Sequence, residues 1–357
     1  MYAYDNVIHI DNNSGVEKRQ KSDLTIVCTQ IHDGLGYSFI VLGRNGLHED
    51  AGSTKESIEK GQIERFSNRF REAMTPLIKS YQPEQLPSIL LKIEGFGEEL
   101  WDLLIPPPLQ FLLRGLPEES IIDISTKEMW IPWEILFDGA SFLGEKHILR
   151  RLPKLPVCTD VTQARQRCHR LSSGEVKRAI NVIGDRLNVN EQELAARVFD
   201  GVELTVVTLS PTPIATLKEE INETDILHFS CHGIIDGTEQ YLRLGPREEH
   251  FLSVSSVRRL SMQGGLVFAN ACASAGSSTL LSPVDFGWHF YAAGAEIFIG
   301  SLAPIPSKQA LRFANEFYKT WNLGEKSCSA ALQAVKKSYS DDSASLFWLF
   351  YCIYGQD

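Results

Sequence analysis

The sequence predicts an α/β protein: a mostly parallel sheet with helices on both faces, preceded by a smaller α+β portion. Three observations predict it. From about residue 178 onward, short apolar runs alternate with segments of helical periodicity, the rhythm that produces a parallel sheet. Each run is apolar at successive positions, as in strands covered on both sides. The 357 residues are 43% hydrophobic and 22% charged, which sustains a packed core and argues against a chain disordered throughout.

The elements follow in order. Residues 1–20 read as a polar tail. Residues 21–150 form the N-terminal α+β portion. In it, Leu24–Cys28 and Tyr37–Leu42 are short strands flanking the turn residues Asp33 and Gly34. Ile63, Phe66, Phe70, Met74 and Ile78 recur at helical spacing and predict a helix over about Ser57–Ser80. Gly95–Leu104 reads as a second helix stopped by Pro106, Pro107 and Pro108, and Ile121–Ser125 as a strand. Ile131–Phe137, with Trp130, Pro132 and Trp133, reads as a packing joint, and its Glu134 as paired or exposed with no catalytic role. Residues 151–177 are a basic, polar connector.

Residues 178–357 form the second domain. Ala179–Gly184 is its first strand. Asn190, with Glu193 three positions on, caps a helix. Val202–Leu209 is the second strand, and Thr212 and Pro213 open another helix. Asp225–Ser230, Leu266–Ala271 and Ala295–Gly300 are the third to fifth strands. Helices at Pro283–Ala293, Ser307–Trp321 and Glu325–Ser340 separate or follow them, and Phe347–Tyr354 is a closing strand.

Charge and cysteine usage narrow the function. Lys plus Arg is 35 against 45 Asp plus Glu, a net charge of −10, which disfavours direct contact with a phosphate backbone. Seven cysteines are spread along the chain with no C-x-x-C spacing, which argues against a disulfide scaffold and a zinc ribbon. No metal or cofactor is called for. The N-terminus lacks the basic and apolar regions of a secretory signal, and no apolar run approaches the ~18 residues of a membrane span, so cytoplasmic residence without membrane contact is the expectation. The first strand of the second domain ends in Gly184-Asp185-Arg186, which is no nucleotide-binding glycine loop.

Reactive groups in an open α/β sheet gather where strands end at their carboxyl edge. Two ends stand out. The third strand empties into Cys231-His232-Gly233, and the fourth into Cys272-Ala273-Ser274. If these strands are neighbours, His232 and Cys272 face each other across one crevice. An imidazole there accepts the thiol proton and returns it to a leaving amine. The backbone N–H groups of Cys272 and Gly233 suit an oxyanion hole, typically worth ~3–4 kcal/mol per donor. Cys231 points to the opposite face by alternation and reads as packing, and His228 as a group that orients or packs beneath the site.

Those two segments, Asp225–Gly233 and Leu266–Ser274, resemble the histidine and cysteine motifs of the CHAT family, a caspase- and separase-related branch of the clan CD cysteine peptidases. The resemblance extends to Ile131–Asp138, Phe142-Leu143, Arg151–Pro153, Ala293–Leu302 and Phe347–Gly355. It covers about residues 90–357 in the family's order. It implies a caspase-like catalytic domain behind a pseudo-caspase-like N-terminal portion, with His232 as general acid/base, Cys272 as nucleophile and Gly233 as an oxyanion donor beside Cys272. The sequence departs from the family at Ala273, where many members carry an acid, and at Cys231, where a small residue is usual. The first departure leaves the charge of the specificity pocket open.

The resemblance also implies a substrate pocket between the first strand's end and the cysteine loop, where Asp185, Arg186, Asp236 and Asp285 are the candidate substrate-binding charges. Taken singly, each of the four reads first as a solvated loop charge, and Asp285 equally as a charge favouring the N-terminus of the Pro283 helix. The implied function is a cysteine endopeptidase with a specific protein substrate and an activating partner. Bacterial members of the family act in defence operons, and some cleave a gasdermin-like pore former. No ~34-residue repeat is evident, which fits a compact standalone protease. The alternative is a catalytically inactive interaction module that keeps the fold.

Overall fold

A computed structural model describes residues 21–31, 36–44, 48–54, 65–66, 68–70, 72–74, 82–127, 131–154, 171, 176–184, 203–208, 221, 224–236, 239–271, 286–340 and 346–357. The N-terminal portion contains β1 (Leu24–Ile31), β2 (Gly36–Gly43), β3 (His48–Ser53), α1 (Leu86–Leu104), α2 (Pro107–Gly115), β4 (Ile121–Thr126) and β5 (Ile148–Pro153). Then follow β6 (Arg178–Ile183), β7 (Glu203–Thr208), β8 (Ile226–Asp236), β9 (Glu239–Arg243), β10 (Phe251–Ser253), β11 (Leu266–Ala271) and α3 (Phe286–Ala292). The chain closes with β12 (Ile297–Ser301), α4 (Ser307–Trp321), α5 (Cys328–Ser340) and β13 (Tyr351–Tyr354). The tail and the helices read at Asn190 and Thr212 lie outside the described residues, as does most of the helix read over 57–80.

The strands join one sheet in the order β10-β9-β8-β11-β12-β13-β5-β4-β1-β2-β3, with β6 also on β8 and β7 on β6. It is α/β and mostly parallel, as expected. The parallel strands form two blocks. In one, β7, β6, β8, β11 and β12 run together. In the other, β13, β5, β4 and β1 run together. β13 is antiparallel to β12, so the blocks point in opposite directions.

Alternation divides each strand between two apolar layers. Ile226, Leu266, Phe268, Ile297 and Ile299 pack under α4 and α5. Leu227, Phe229, Cys231, Val267, Ala269 and Phe298 pack on the other face with Phe286 and Phe290 of α3. In α4, Ala310, Phe313, Ala314, Phe317, Tyr318 and Trp321 are buried, an apolar stripe at helical spacing. The helix ends on Asn322 in the left-handed conformation at φ 48°, with its N–H on the Tyr318 carbonyl.

Two helices depart from expectation. α1 begins at Leu86, nine residues before the Gly95 start read from the sequence, with Pro87 as its entry signal. Gly97 within it touches the Ile135 carbonyl so closely that a Cβ would collide, which seats the segment Trp133–Ile135 on the helix. The proline run ends α1 and also opens α2, with Pro107 in its first turn. In the closing strand, Phe347–Phe350 forms a 3₁₀ turn and only Tyr351–Tyr354 is extended.

β5 carries two consecutive arginines, each about 1% exposed. Arg150 Nε donates to Asp123 Oδ1 at 2.7 Å. Arg151 makes a two-pronged pair with Glu134, Nε to Oε1 at 2.9 Å and Nη2 to Oε2. Glu134 is therefore paired, and fully buried. The Glu134 carboxylate supports charge on Arg151, and also partly offsets the burial that lowers Lys336. Consecutive strand residues face opposite sides, so each guanidinium meets its own carboxylate in its own layer.

Candidate active site

β8 changes partners along its length. Its first half lies between β6 and β11, with Ile183 opposite Ser230 and Ala271 opposite Cys231. From His232 onward it pairs instead with β9, antiparallel, His232 opposite Arg243 and Gly233 opposite Leu242. Gly184, just past β6, presses on this junction: a Cβ there would lie 2.6 Å from Cys231 Cβ and 2.9 Å from the Arg243 carbonyl. Its N–H donates to the Ser230 carbonyl at 2.6 Å.

Sequence reasoning ended this strand at Ser230; β8 in fact runs to Asp236. The signal for the extension is in the sequence. Asp236-Gly237 is a common hairpin turn pair; the burial alternation of Glu239–Arg243 is visible only in the structure, since buried position 240 is a glutamine. Phe251–Ser253 then adds β10 to β9, Phe251 opposite Arg243.

Of the expected site residues, His232 and Gly233 are half-buried at the partner switch. Cys272 lies outside the described residues, as do Asp185, Arg186 and Asp285. Asp236 closes β8 opposite Glu239 in register. The last described residue of β11 is Ala271, immediately before Cys272, and its partner Cys231 immediately precedes His232. Cys231 is 4% exposed and belongs to the apolar layer of Phe229 and Ala271, on the other face from His228. Among the described residues no group of three His, Cys, Asp or Glu is placed to hold a metal ion. No described helix is long and apolar enough to cross a membrane.

Beneath His232 on the same face of β8, His228 is sealed from solvent. Its Nδ1 lies 2.9 Å from Tyr318 Oη and its Nε2 3.0 Å from Ser230 Oγ. Burial lowers its pKa to about 3, so the ring is neutral: one nitrogen accepts and the other donates. On β11, Asn270 Oδ1 accepts from Tyr351 Oη at 2.8 Å. These partners escaped sequence reasoning because Tyr318 and Tyr351 come from distant elements. Arg243 also escaped it, because its place depends on the hairpin register. A groove of about 430 Å³ on the N-terminal portion, lined by Phe70, Glu72, Leu91, Lys92 and Phe96, contains none of the expected site residues.

Comparison with known proteins bears on this arrangement. Two crystal structures of the Saccharomyces cerevisiae separase–securin complex superpose on the chain. One gives a TM-score of 0.53 at 12% identity, the other 0.52 at 13%. Each match covers 93% of this chain and 30% of the separase-complex chain, so this chain spans under a third of that protein's length. The likeness is one of fold: a caspase-like sheet flanked by helices. No curated protein matches the chain. The family profile described as the CHAT domain matches residues 94–356, from the middle of α1 through the closing strand. On that match, which takes in the greater part of the chain, the protein belongs to the CHAT-domain family.

Proposed function

We propose that the chain is a cysteine endopeptidase in which His232 and Cys272 form the catalytic dyad. The observation that carries this reading is the register of β8 and β11. These are adjacent parallel strands whose last paired residues, Cys231 and Ala271, each stand one position before a dyad residue. Parallel neighbours lie about 4.8 Å apart, and by alternation His232 returns to the face of β8 that carries His228. Cys231, the competing thiol, belongs to the opposite layer.

In the proposed reaction the Cys272 thiol gives its proton to His232, and the sulfur attacks the substrate carbonyl. The C–N bond breaks as His232 protonates the leaving amine. Water then attacks the thioester, giving its proton to His232, and the thiol is released. The N–H groups of Cys272 and Gly233 are assigned to the developing oxyanion. Asp185, Arg186, Asp236 and Asp285 remain the proposed substrate-binding charges. The substrate is proposed to be a protein cut at a specific site, a gasdermin-like pore former acting in bacterial defence through regulated cell death. That part rests on family resemblance, with an activating partner as gate.

The test is the alkylation rate of each of the seven cysteines at neutral pH. Cys272 is expected to react fastest and to slow when His232 is replaced. Equal reactivity among accessible cysteines would favour an idle interaction module. Incubation with proteins encoded beside the gene, read as new termini by mass spectrometry, identifies the substrate and the residue before the cut.

A further inference from the structure

We infer that Arg243 holds a substrate carboxylate next to the scissile bond, making this a site for peptides with an Asp or Glu close to the cut. The inference rests on the dyad proposed above and goes beyond it by naming the substrate chemistry. Directly opposed residues of an antiparallel ladder project on one face. Here His232, Arg243 and Phe251 are opposed in turn across β8, β9 and β10. All three are half-buried. The other face of the same hairpin, with Leu242 and Leu252, is sealed into the apolar layer.

The row has a built geometry. Arg243 Nε donates to the Gly245 carbonyl at 3.3 Å, which orients the guanidinium fork. The guanidinium carbon lies 5.8 Å from the centre of the Phe251 ring, within cation–π range. Tyr241 stands one row further along, its ring 6.1 Å from that of Phe251. The result is a cation on an aromatic platform, beside the imidazole of the dyad. A planar fork at such a place matches a carboxylate in two parallel hydrogen bonds. Charge selects the same partner. On a chain of net charge −10, an acidic peptide finds attraction only where a cation is locally presented. Neighbouring strands are ~5 Å apart and an extended peptide advances ~3.4 Å per residue, so the acidic side chain falls within about three residues of the cut.

The experiment compares two reagents at Cys272. Iodoacetate and iodoacetamide both lose iodide to the thiolate, and only the first carries a carboxylate. The rate ratio is measured by mass spectrometry on the intact chain for wild type, Arg243→Gln, Arg243→Glu and Arg243→Lys. Arg247→Gln, at an exposed arginine that pairs with Glu249, controls for net charge. The expected result is a wild-type ratio about fivefold above that of Arg243→Gln, a scale suited to one half-exposed charged pair. Arg243→Glu is expected to fall further, Arg243→Lys to lie between wild type and Arg243→Gln, and the control to match wild type. Equal ratios across the Arg243 series would overturn the carboxylate site and leave the dyad standing. If Cys272 reacts slowly and is indifferent to His232→Ala, the dyad fails while the ratio still decides the carboxylate site. A thiol unreactive to both reagents would remove the open groove and defeat both readings.

Discussion

His228 and His232 share one face of β8, and only His228 is sealed from water. Burial holds the His228 pKa at about 3, against 6.5 for the free group. Below pH ~6.5 the unfolded chain therefore binds a proton that the folded chain refuses. The stability this ring permits is complete above pH ~6.5 and is lost as pH falls toward 3, at ~1.4 kcal/mol per pH unit in the steep range. His147 and His289, each lowered to about 4 by burial first and a neighbouring cation second, act with the same sign. Urea midpoints should thus fall between pH 7 and pH 5. In His228→Gln the whole curve should sit lower but with a shallower slope, by about one proton. A wild-type midpoint flat over that range would contradict the assignment.

The thiols give a second residue-scale expectation. If the proposed dyad holds, Cys272→Ala and His232→Ala should each abolish cleavage with little loss of thermal stability, and the double variant should be little worse than either, as for two groups acting as a unit. Cys231→Ala should keep most of the activity while costing on the order of 1 kcal/mol of packing. Loss of cleavage in Cys231→Ala, with the fold intact, would mean the nucleophile is the wrong thiol. His232 and Cys272 were legible as candidates because a reactive residue followed by small ones interrupts an apolar strand. Arg243, Tyr318 and Tyr351 were not, since each reaches its place through register or tertiary packing that no local pattern encodes.

Among the elements, legibility tracks polarity. Strands β1, β2, β4, β6, β7, β11 and β12 are apolar enough to announce themselves. β3 reads His-Glu-Asp-Ala-Gly-Ser and β5 carries two arginines, so both went unread as strands. A buried ion pair makes the interior look like surface when only the sequence is in hand. Its energetics are equally one-sided. Glu134→Ala should cost about 3–5 kcal/mol, because it strands the Arg151 guanidinium in the core and removes a carboxylate that also faces Lys336. The double replacement Glu134→Leu with Arg151→Met should recover much of that loss, since it removes both charges together. Chemical denaturation of the three proteins measures both quantities. A single variant as stable as wild type would show that water reaches the pair.

Across the whole molecule, the two parallel blocks meet at β13, which is antiparallel to β12 and parallel to β5. Asp357, just beyond β13, ties this seam to α5. Its carboxylate accepts from the Ser329 N–H and hydroxyl, both at 2.7 Å, and its carbonyl accepts from Arg150 at 3.3 Å. Asp357 thus adds a carboxylate from a distant segment to the local cap, in which Ser327 Oγ accepts from the Ala330 N–H at 3.2 Å. Asp357→Ala should lower stability by about 1–2 kcal/mol, read as a lower Tm. An unchanged Tm would show that water serves α5 as well.

The adjacent arginines of β5 have one further consequence. A strand that slips by one residue exchanges its two sides. A greasy strand survives such a slip, since one methyl cluster resembles another. A slipped β5 would instead send each cation into the other's layer and out of line with its carboxylate, leaving at least one guanidinium without its paired hydrogen bonds in a dry interior. The join between the blocks is thereby held to one alignment by charge rather than by shape alone.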